Sequence, residues 1–154
     1  MSINLPDLKY YKNQILRKGI KYPLQPVAWA TNGLLHTLPP PPTEKTGWPW
    51  TEETAPALYN KNINWPKFTI VTPSYNQAQF LEETIRSVLL QNYPNLEYII
   101  IDGGSTDGSA QIIEKYSPWI SYWQSEKDGG QGNAINQGFS LASGAYYGWI
   151  NSDD

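Results

Sequence analysis

Three short polar clusters contain the residues of this chain whose types and spacing could do chemistry. They are residues 72–76 (Thr-Pro-Ser-Tyr-Asn), 102–104 (Asp-Gly-Gly) and 151–154 (Asn-Ser-Asp-Asp), and each directly follows an apolar run. The third cluster ends in two adjacent carboxylates, which repel each other, so a bound divalent cation would relieve an electrostatic strain. The alternative is a solvated acidic segment, and the placement of the three clusters in the fold decides between the two.

Apolar runs and helical stripes alternate from residue 67 onward, and this alternation would bring the three clusters together. Strands are predicted to begin near Phe68, Leu96, Ile120 and Tyr146, with helices over residues 78–91, 112–116 and 135–142. The pattern predicts an α/β fold: a Rossmann-like, mainly parallel sheet with helices on both faces. Ligands bind at the carboxyl ends of the strands in such sheets, so the convergence of the clusters there favours a binding site.

Two glycine-containing turns connect these elements. The turn over residues 102–108 is expected to cap the next helix through Thr106 or Asp107, and residues 129–132 are predicted to form a flexible loop. Gly130 and Gly132 raise the alternative of a dinucleotide-binding loop. Ile135 stands where the third glycine of that fingerprint belongs, which argues against a nicotinamide cofactor.

Residues 1–66 are predicted to form a separate N-terminal arm, followed by a domain over residues 67–154. The arm holds ten of the thirteen prolines, and residues 8–21 could form one short basic helix. Three of its four tryptophans, Trp48, Trp50 and Trp65, have two interpretations. They could stack on sugar faces, or they could attach the arm to the domain by burial.

Composition and charge exclude several classes of function. The chain has 154 residues, no cysteine and one histidine, His36, so thiolate zinc sites and multi-histidine sites cannot form within it. No apolar run is long enough to span a bilayer and no signal pattern is present, so we expect a cytoplasmic protein. Residues 67–154 hold four basic residues against ten acids, which argues against nucleic-acid binding.

Four motifs give the chain a resemblance to a known family. Residues 69–76 (TIVTPSYN), 101–109 (IDGGSTDGS), 134–138 (AINQG) and 149–154 (WINSDD) resemble, in order and spacing, the nucleotide-sugar half of family-2 glycosyltransferases of the GT-A fold. The resemblance covers residues 67–154 and leaves residues 1–66 outside it. It also implies the spatial strand order 3-2-1-4.

The resemblance implies an inverting transfer of a sugar from a nucleoside-diphosphate sugar donor to a hydroxyl of a saccharide or other acceptor, assisted by Mg²⁺ or Mn²⁺. By position, Pro73 and Tyr75 would line the nucleobase and Asp102 would lie in the base-binding turn. Asp153 would ligate the metal, and Asn151 would lie near the ribose and the metal waters. The remaining expected donor-site residues are Thr72, Gly103, Asn133 and Ser152.

Three positions depart from the family pattern. The family often has an Asp-Asp pair where this chain has Asp102-Gly103, and the second acid often contacts the base. Asn151 replaces the first acid of the Asp-x-Asp motif, and Asn133 stands where many relatives have aspartate. Asn133 would contact the donor or serve as a polar residue that opens the third helix.

Family members continue past the Asp-x-Asp position into an acceptor-binding half that supplies the catalytic base. We therefore expect this chain to be the donor half, truncated after the motif, with the catalytic base unassigned. The alternative function is nucleotide-diphosphate binding without turnover. A sheet edge and an apolar face left without cover would favour association into homo-oligomers or poor solubility.

Overall fold

The computed structural model describes residues 7–154 and contains four helices and four strands in that range. In chain order these are α1 Leu8–Leu16, β1 Phe68–Ser74, α2 Ala78–Leu89, β2 Leu96–Asp102, α3 Ser109–Tyr116, β3 Tyr122–Ser125, α4 Gln131–Leu141 and β4 Tyr146–Trp149. The strands form one sheet in the order β3-β2-β1-β4, and every neighbouring pair is parallel. The predicted α/β class and strand order are confirmed.

Several boundaries differ from the sequence prediction. β3 begins at Tyr122 instead of Ile120, because a short 3₁₀ turn over Ser117–Trp119 ends with the Ile120 amide bonded to the Ser117 carbonyl. The prediction of a loop over residues 129–132 was wrong for its second half, since α4 begins at Gln131. The N-terminal helix ends at Leu16, well before residue 21.

Alternate residues of β2 point to opposite faces of the sheet, and each face is covered by helices. Tyr98 and Ile100 pack in a core cluster with apolar residues of α2 and α3, whereas Ile99 and Ile101 pack in a second cluster with residues of α1 and α4. All seven residues of β2 are buried. A central parallel strand covered on both faces explains why the sequence of β2 is almost continuously apolar.

One glycine sets the distance between α4 and the sheet. A β-carbon at Gly138 would lie 2.4 Å from Cγ1 of Val71 in β1, which no real contact allows. The absence of a side chain therefore lets α4 approach β1 closely. Because the amino end of α4 lies beside the carboxyl end of β1, this packing also fixes one wall of the cavity described below.

The N-terminal arm packs on the α/β region and contributes to its two core clusters. Arg86 of α2 is fully buried and donates to three arm carbonyls, those of Pro39, Pro49 and Trp50, at 2.8–2.9 Å. The buried ring of Trp50 lies 5.5 Å from the guanidinium carbon, in agreement with attachment by burial. The proposed domain boundary at residue 66 stays a prediction.

Among residues 7–154 no helix combines the length and the apolar character that a bilayer crossing would need. β4 is an edge strand whose side chains are mostly exposed, including Tyr146, Tyr147 and Trp149. The predicted association into homo-oligomers is not tested by these features and stays a prediction.

Candidate functional site

A cavity of about 540 Å³ lies at the carboxyl end of the sheet. The ends of β1 and β4, the turn after β2, the loop after β3 and the first turn of α4 form its wall. The lining residues are Pro73, Ser74, Tyr75, Gln77, Gly103, Lys127, Asp128, Gly130, Gln131, Ala134, Asn151, Ser152 and Asp153. Of the nine residues expected from the sequence, six line this cavity: Pro73, Tyr75, Gly103, Asn151, Ser152 and Asp153.

The end of β1 presents an aromatic ring and an unused hydroxyl to the cavity. Tyr75 is 63% exposed, so its ring is open to a ligand. The Ser74 hydroxyl is buried and has no hydrogen-bond partner within residues 7–154. Buried polar atoms almost always have a partner, so this hydroxyl calls for a ligand atom or water in the cavity.

Asp102, expected to lie in the base-binding turn, organises the turn that follows β2. Its carboxylate is fully buried and accepts hydrogen bonds from Gly104 N, Ser105 N, Ser105 Oγ and Ser125 Oγ, at 2.6–3.2 Å. Four donors on one carboxylate hold the turn and the end of β3 together. Asp102 is not among the cavity-lining residues. By holding the turn, it fixes the position of Gly103, which does line the cavity.

The carboxylate of Asp128 occupies the space beside Gly103. A β-carbon at residue 103 would lie 3.2 Å from both carboxylate oxygens of Asp128. Oδ1 of Asp128 accepts a hydrogen bond from Gly130 N at 2.8 Å, which fixes the orientation of the group. An acid is therefore present next to position 103, although it comes from the loop after β3 rather than from the turn after β2.

The acidic cluster forms a turn that separates its two acids. Asp154 accepts a hydrogen bond from Asn151 N at 3.1 Å, and the Ser152 carbonyl accepts one from Thr84 Oγ1 at 2.8 Å. The side chain of Gln131 donates to Asn151 Oδ1. Asp153 is exposed, lines the cavity together with Lys127, and has no hydrogen bond or ion pair within residues 7–154.

The donor atoms here fit a hard divalent cation that shares its coordination with a ligand. Residues 7–154 contain no group of three or more acids, cysteines or histidines that could hold a metal alone. Asp153 supplies one carboxylate and Asn151 an amide oxygen nearby. Mg²⁺ binds commonly through one or two carboxylates together with phosphates and waters, so this set is sufficient only alongside a phosphate ligand.

Side-chain hydrogen bonds lock the two loops after β1 and β2 to each other. Asn76 Oδ1 accepts from Thr106 N at 2.9 Å, while Asp107 accepts from Ala78 N at 2.9 Å and from Ser109 N at 3.1 Å. Asp107 thus accepts from the first backbone N–H of both α2 and α3. The N-cap positions themselves are Gln77 and Gly108, so the prediction that Thr106 or Asp107 caps α3 misplaced the cap by at least one residue. Desolvation raises the pKa of Asp107, but hydrogen bonds from Ser109 and the Ala78 amide outweigh it and leave the pKa below its ordinary value.

Two other expected site residues point away from the cavity. Thr72 is buried and its hydroxyl pairs with the Tyr98 hydroxyl at 2.9 Å; burial raises the pKa of Tyr98 far above its usual range, so this phenol stays neutral. Asn133 donates from Nδ2 to the Tyr11 hydroxyl at 3.1 Å and accepts from the side chain of Gln137. It lies in the first turn of α4 and connects α4 to α1, so it is not the residue preceding the helix.

Five polar lining residues are not among the nine expected from the sequence: Ser74, Gln77, Lys127, Asp128 and Gln131. Lys127 and Asp128 follow β3 after one intervening residue, at the same end of the sheet as the three recognised clusters. The rule that ligands bind at the carboxyl ends of strands could have found them. Gln131 was missed because the start of α4 was read as a loop.

The sequence model for Glycosyl transferase family 2 matches residues 69–154, more than half of the chain. The chain belongs to this family. A glycosyltransferase of Mycobacterium tuberculosis that has no assigned substrate is 40% identical over 90 residues, and TuaG of Bacillus subtilis, named for teichuronic acid biosynthesis, is 38% identical over 95 residues. These matches cover 58% and 59% of this chain but only 34% and 38% of the two relatives. The chain therefore spans little more than a third of the length of these relatives.

Solved structures of glycosyltransferases share the fold of this family 2 chain. S. aureus TarS in complex with UDP-GlcNAc is 29% identical, with a TM-score of 0.51 over 56% of this chain and 26% of TarS. The mannosyltransferase PcManGT of Pyrobaculum calidifontis, in complex with GDP-Man and Mn²⁺, is 22% identical with a TM-score of 0.53. The match covers 95% of this chain and 35% of PcManGT. The similarity in fold therefore extends over most of the N-terminal arm as well.

Proposed function

We propose that the cavity at the carboxyl end of the sheet binds a nucleoside-diphosphate sugar, as the donor of an inverting, metal-assisted transfer to an acceptor hydroxyl. The observation that carries this proposal is the meeting of an open aromatic ring, an unbonded buried hydroxyl and an exposed, unpaired carboxylate in one cavity, at Tyr75, Ser74 and Asp153. The relative TarS, whose structures contain UDP and UDP-GlcNAc, supports a nucleotide sugar as ligand.

Tyr75 and Asp153 would hold the two ends of the nucleotide. Tyr75 offers an exposed ring for the base, while Asp153 and Asn151 offer oxygen ligands for Mg²⁺ or Mn²⁺ at the diphosphate. Such an ion stabilises the negative charge that develops on the leaving diphosphate. In the reaction the bond from the sugar to the diphosphate breaks, the acceptor oxygen bonds to the same carbon, and a base not assigned in this chain takes the hydroxyl proton.

We assign the contact with the base edge to Asp128 instead of Asp102. The Asp102 carboxylate is fully engaged inside the turn, whereas Asp128 lines the cavity beside Gly103 with Oδ2 unbonded within residues 7–154. A carboxylate accepts hydrogen bonds, so it matches the ring N–H of uracil and guanine. In cytosine and adenine the ring nitrogen at that edge is itself an acceptor and would face the carboxylate unfavourably, although their amino groups can donate. UDP or GDP should therefore bind more tightly than CDP or ADP, and Asp128→Asn should reduce this preference.

Calorimetric titration of UDP and GDP, with and without Mn²⁺, tests the donor site. Since the protein alone has too few ligands for the metal, nucleotide and Mn²⁺ should bind with positive coupling of about 1–3 kcal/mol. Asp153→Asn should abolish this coupling and leave metal-free nucleotide binding unchanged. Absence of nucleotide binding to the unmodified chain would contradict the proposal.

Asp154→Asn is the matched control for this titration, because it removes the same charge from the neighbouring residue. The carboxylate of Asp154 bonds to Asn151 N, and the amide oxygen of asparagine can accept the same hydrogen bond. The Asp154 variant should therefore keep the coupling. Equal losses in both variants would mean that only the net charge of the turn matters.

Nucleotide binding without turnover is the alternative function predicted from the sequence. Transfer of an isotope-labelled sugar to an added acceptor, measured beside calorimetric donor binding, separates the two functions. The cytoplasmic location expected from the sequence also stays a prediction.

A further inference from the structure

A second cleft, of about 460 Å³, lies at the opposite end of the sheet. It is lined by Trp29 and by residues that precede β1 and β2, within 59–65 and 94–95. Because β1 has seven residues at about 3.3 Å each, roughly 20 Å separates this cleft from the donor cavity. The proposed donor site therefore leaves the cleft unexplained.

Three aromatic side chains, together with Ile63 and Pro94, form the apolar part of the cleft, and hydrogen bonds fix each of the three. Trp29, Tyr59 and Trp65 donate, at 2.9–3.0 Å, to the backbone carbonyls of Asn92, Gln91 and Asn60 respectively. The rings of Tyr59 and Trp65 also pack edge to face, with centroids 5.4 Å apart. Since their polar atoms are already bonded and their positions are set, a ligand would meet preorganised rings.

The polar part of the cleft consists of three amides and one ammonium group. Neither the Asn64 side chain nor the Lys61 ammonium makes a hydrogen bond or ion pair with another residue of the described range 7–154. Asn95 donates from Nδ2 to the Trp65 carbonyl at 3.0 Å, which leaves its Oδ1 available. Each amide offers donors and an acceptor, and a hydroxyl group matches both.

We propose that this cleft is a saccharide-binding site distinct from the donor site. The apolar face of a sugar ring would lie on the fixed aromatic rings, and its hydroxyls would bond to Asn64, Asn95 and Asn60. Fixed aromatics with a few placed polar groups are typical of small-ligand pockets. The binding of a saccharide here rests on the chemistry of this cleft alone, whereas its role as part of an acceptor or product rests on the proposed function.

The distance between the two sites defines the role of the cleft. A sugar bound roughly 20 Å from the donor cavity cannot itself receive the transferred group. The cleft would instead hold a remote part of a long saccharide acceptor or product. A membrane surface is the competing ligand, since Leu58 and Ile63 are exposed nearby, but a concave wall carrying three amides and a single lysine favours a hydroxyl-rich molecule.

Nuclear magnetic resonance of the whole chain tests the cleft through its indole N–H signals. The chain has seven tryptophans, whose signals are assigned by single Trp→Phe variants. Titration with cellohexaose, chitohexaose and an oligouronate hexasaccharide should shift the signals of Trp29 and Trp65 and leave those of Trp119 and Trp149 unchanged. No shift with any of the three at millimolar concentration, or equal shifts of all the signals, would overturn the proposal.

Two neighbouring asparagines provide a matched pair of variants. Asn64 lines the cleft and Asn62 does not, and both are exposed, so neither substitution should affect folding. Asn64→Ala should weaken hexasaccharide binding about threefold to tenfold, the effect of one lost hydrogen bond, whereas Asn62→Ala should leave it unchanged. Equal affinities for the two variants would contradict the assignment of Asn64.

Two further measurements separate this site from its alternatives. Sedimentation with phosphatidylcholine–phosphatidylglycerol vesicles should show no binding; binding to vesicles without a saccharide response would replace the proposal with a membrane site. UDP titrations of the Asn64→Ala variant should match those of the unmodified chain. A loss of UDP binding in that variant would contradict the independence of the two sites.

Discussion

The two ends of β2 each carry a fully buried carboxylate, and the two carboxylates are stabilised by different partners. Glu97, at the amino end, accepts from Thr69 Oγ1, Ser143 N and Ser143 Oγ at 2.7–2.8 Å and lies 3.4 Å from the Lys67 ammonium. Asp102, at the carboxyl end, accepts only from amides and hydroxyls of the adjoining turns.

This difference indicates that the two ends of β2 have different roles, one in the stability of the fold and the other in shaping the proposed donor cavity. At the amino end a cation balances the carboxylate, and Ser143 and Thr69 connect it to the turn before β4. At the carboxyl end the negative charge of Asp102 is held by oriented neutral dipoles, and the outer carboxylates, Asp128 and Asp153, face the cavity. The polar groups that line the proposed donor cavity therefore lie at the end of β2 where the buried acid fixes loops, and not at the end where it forms an ion pair.

Glu97→Ala should have the largest effect on stability. It leaves the partly buried Lys67 ammonium and the Thr69 hydroxyl without their buried partner, which should lower the free energy of unfolding by about 3–5 kcal/mol. Urea denaturation measures this loss, and Glu83→Ala, an exposed acid of α2, should change stability by less than about 0.5 kcal/mol. Folded Glu97→Ala protein should still bind UDP normally. A stability loss no greater than that of the control would contradict the comparison.

Asp102→Ala should affect both stability and binding. The variant leaves the donors of Ser105, Gly104 and Ser125 without their acceptor, and we expect a stability loss of about 2–3 kcal/mol. Because the freed turn carries Gly103 at the cavity wall, UDP should bind about tenfold more weakly by calorimetry, an effect of about 1.4 kcal/mol. Normal UDP affinity in this variant would show that the two ends of β2 do not differ as described.

Tyr75→Ala should affect binding alone. The ring is largely exposed in the free protein, so the unfolding midpoint in urea should stay the same. Loss of the aromatic contact with the base should weaken UDP binding by about 1 kcal/mol, while the response to Mn²⁺ is retained. Calorimetry with and without Mn²⁺ measures both quantities. A loss of the Mn²⁺ response together with the affinity would argue against separate roles for Tyr75 and Asp153.

Asp107→Asn should produce the smallest effect, a slight loss of stability at neutral pH that disappears in acid. The folded-state pKa of Asp107 lies below its ordinary value, so its contribution to stability is complete above the ordinary aspartate pKa and is lost as the pH falls through the lower folded value. Thermal unfolding of the variant should therefore depend slightly less on pH in that acidic range. An unchanged pH dependence would show that the hydrogen bonds of Asp107 do not favour its ionised form.

The elements of the α/β region could be predicted from the sequence because local patterns determine them. Continuous apolar runs mark buried strands, and the position of each polar cluster after a strand predicts the shared end of the sheet. The order β3-β2-β1-β4 came from the family resemblance, and the parallel pairing of β1 with both β2 and β4 confirms it.

Side-chain direction and long-range contacts could not be predicted in the same way. The sequence places Asp102 at the end of a strand but does not reveal that four donors draw its carboxylate into the turn. The approach of Asp128 to Gly103 depends on the path of a loop 25 residues further along the chain. The partners of Arg86 are backbone carbonyls of the irregular arm, which no pattern of side chains reveals.

Hydrogen exchange of the whole chain, followed by mass spectrometry, tests the central claim most directly: the donor binds at the carboxyl end of the sheet. Addition of UDP and Mn²⁺ should protect peptides covering residues 74–77, 103–107, 127–131 and 151–154, and should leave residues 59–66 and 142–145 at the amino end unchanged. Protection at the amino end, or equal protection throughout the chain, would contradict the account.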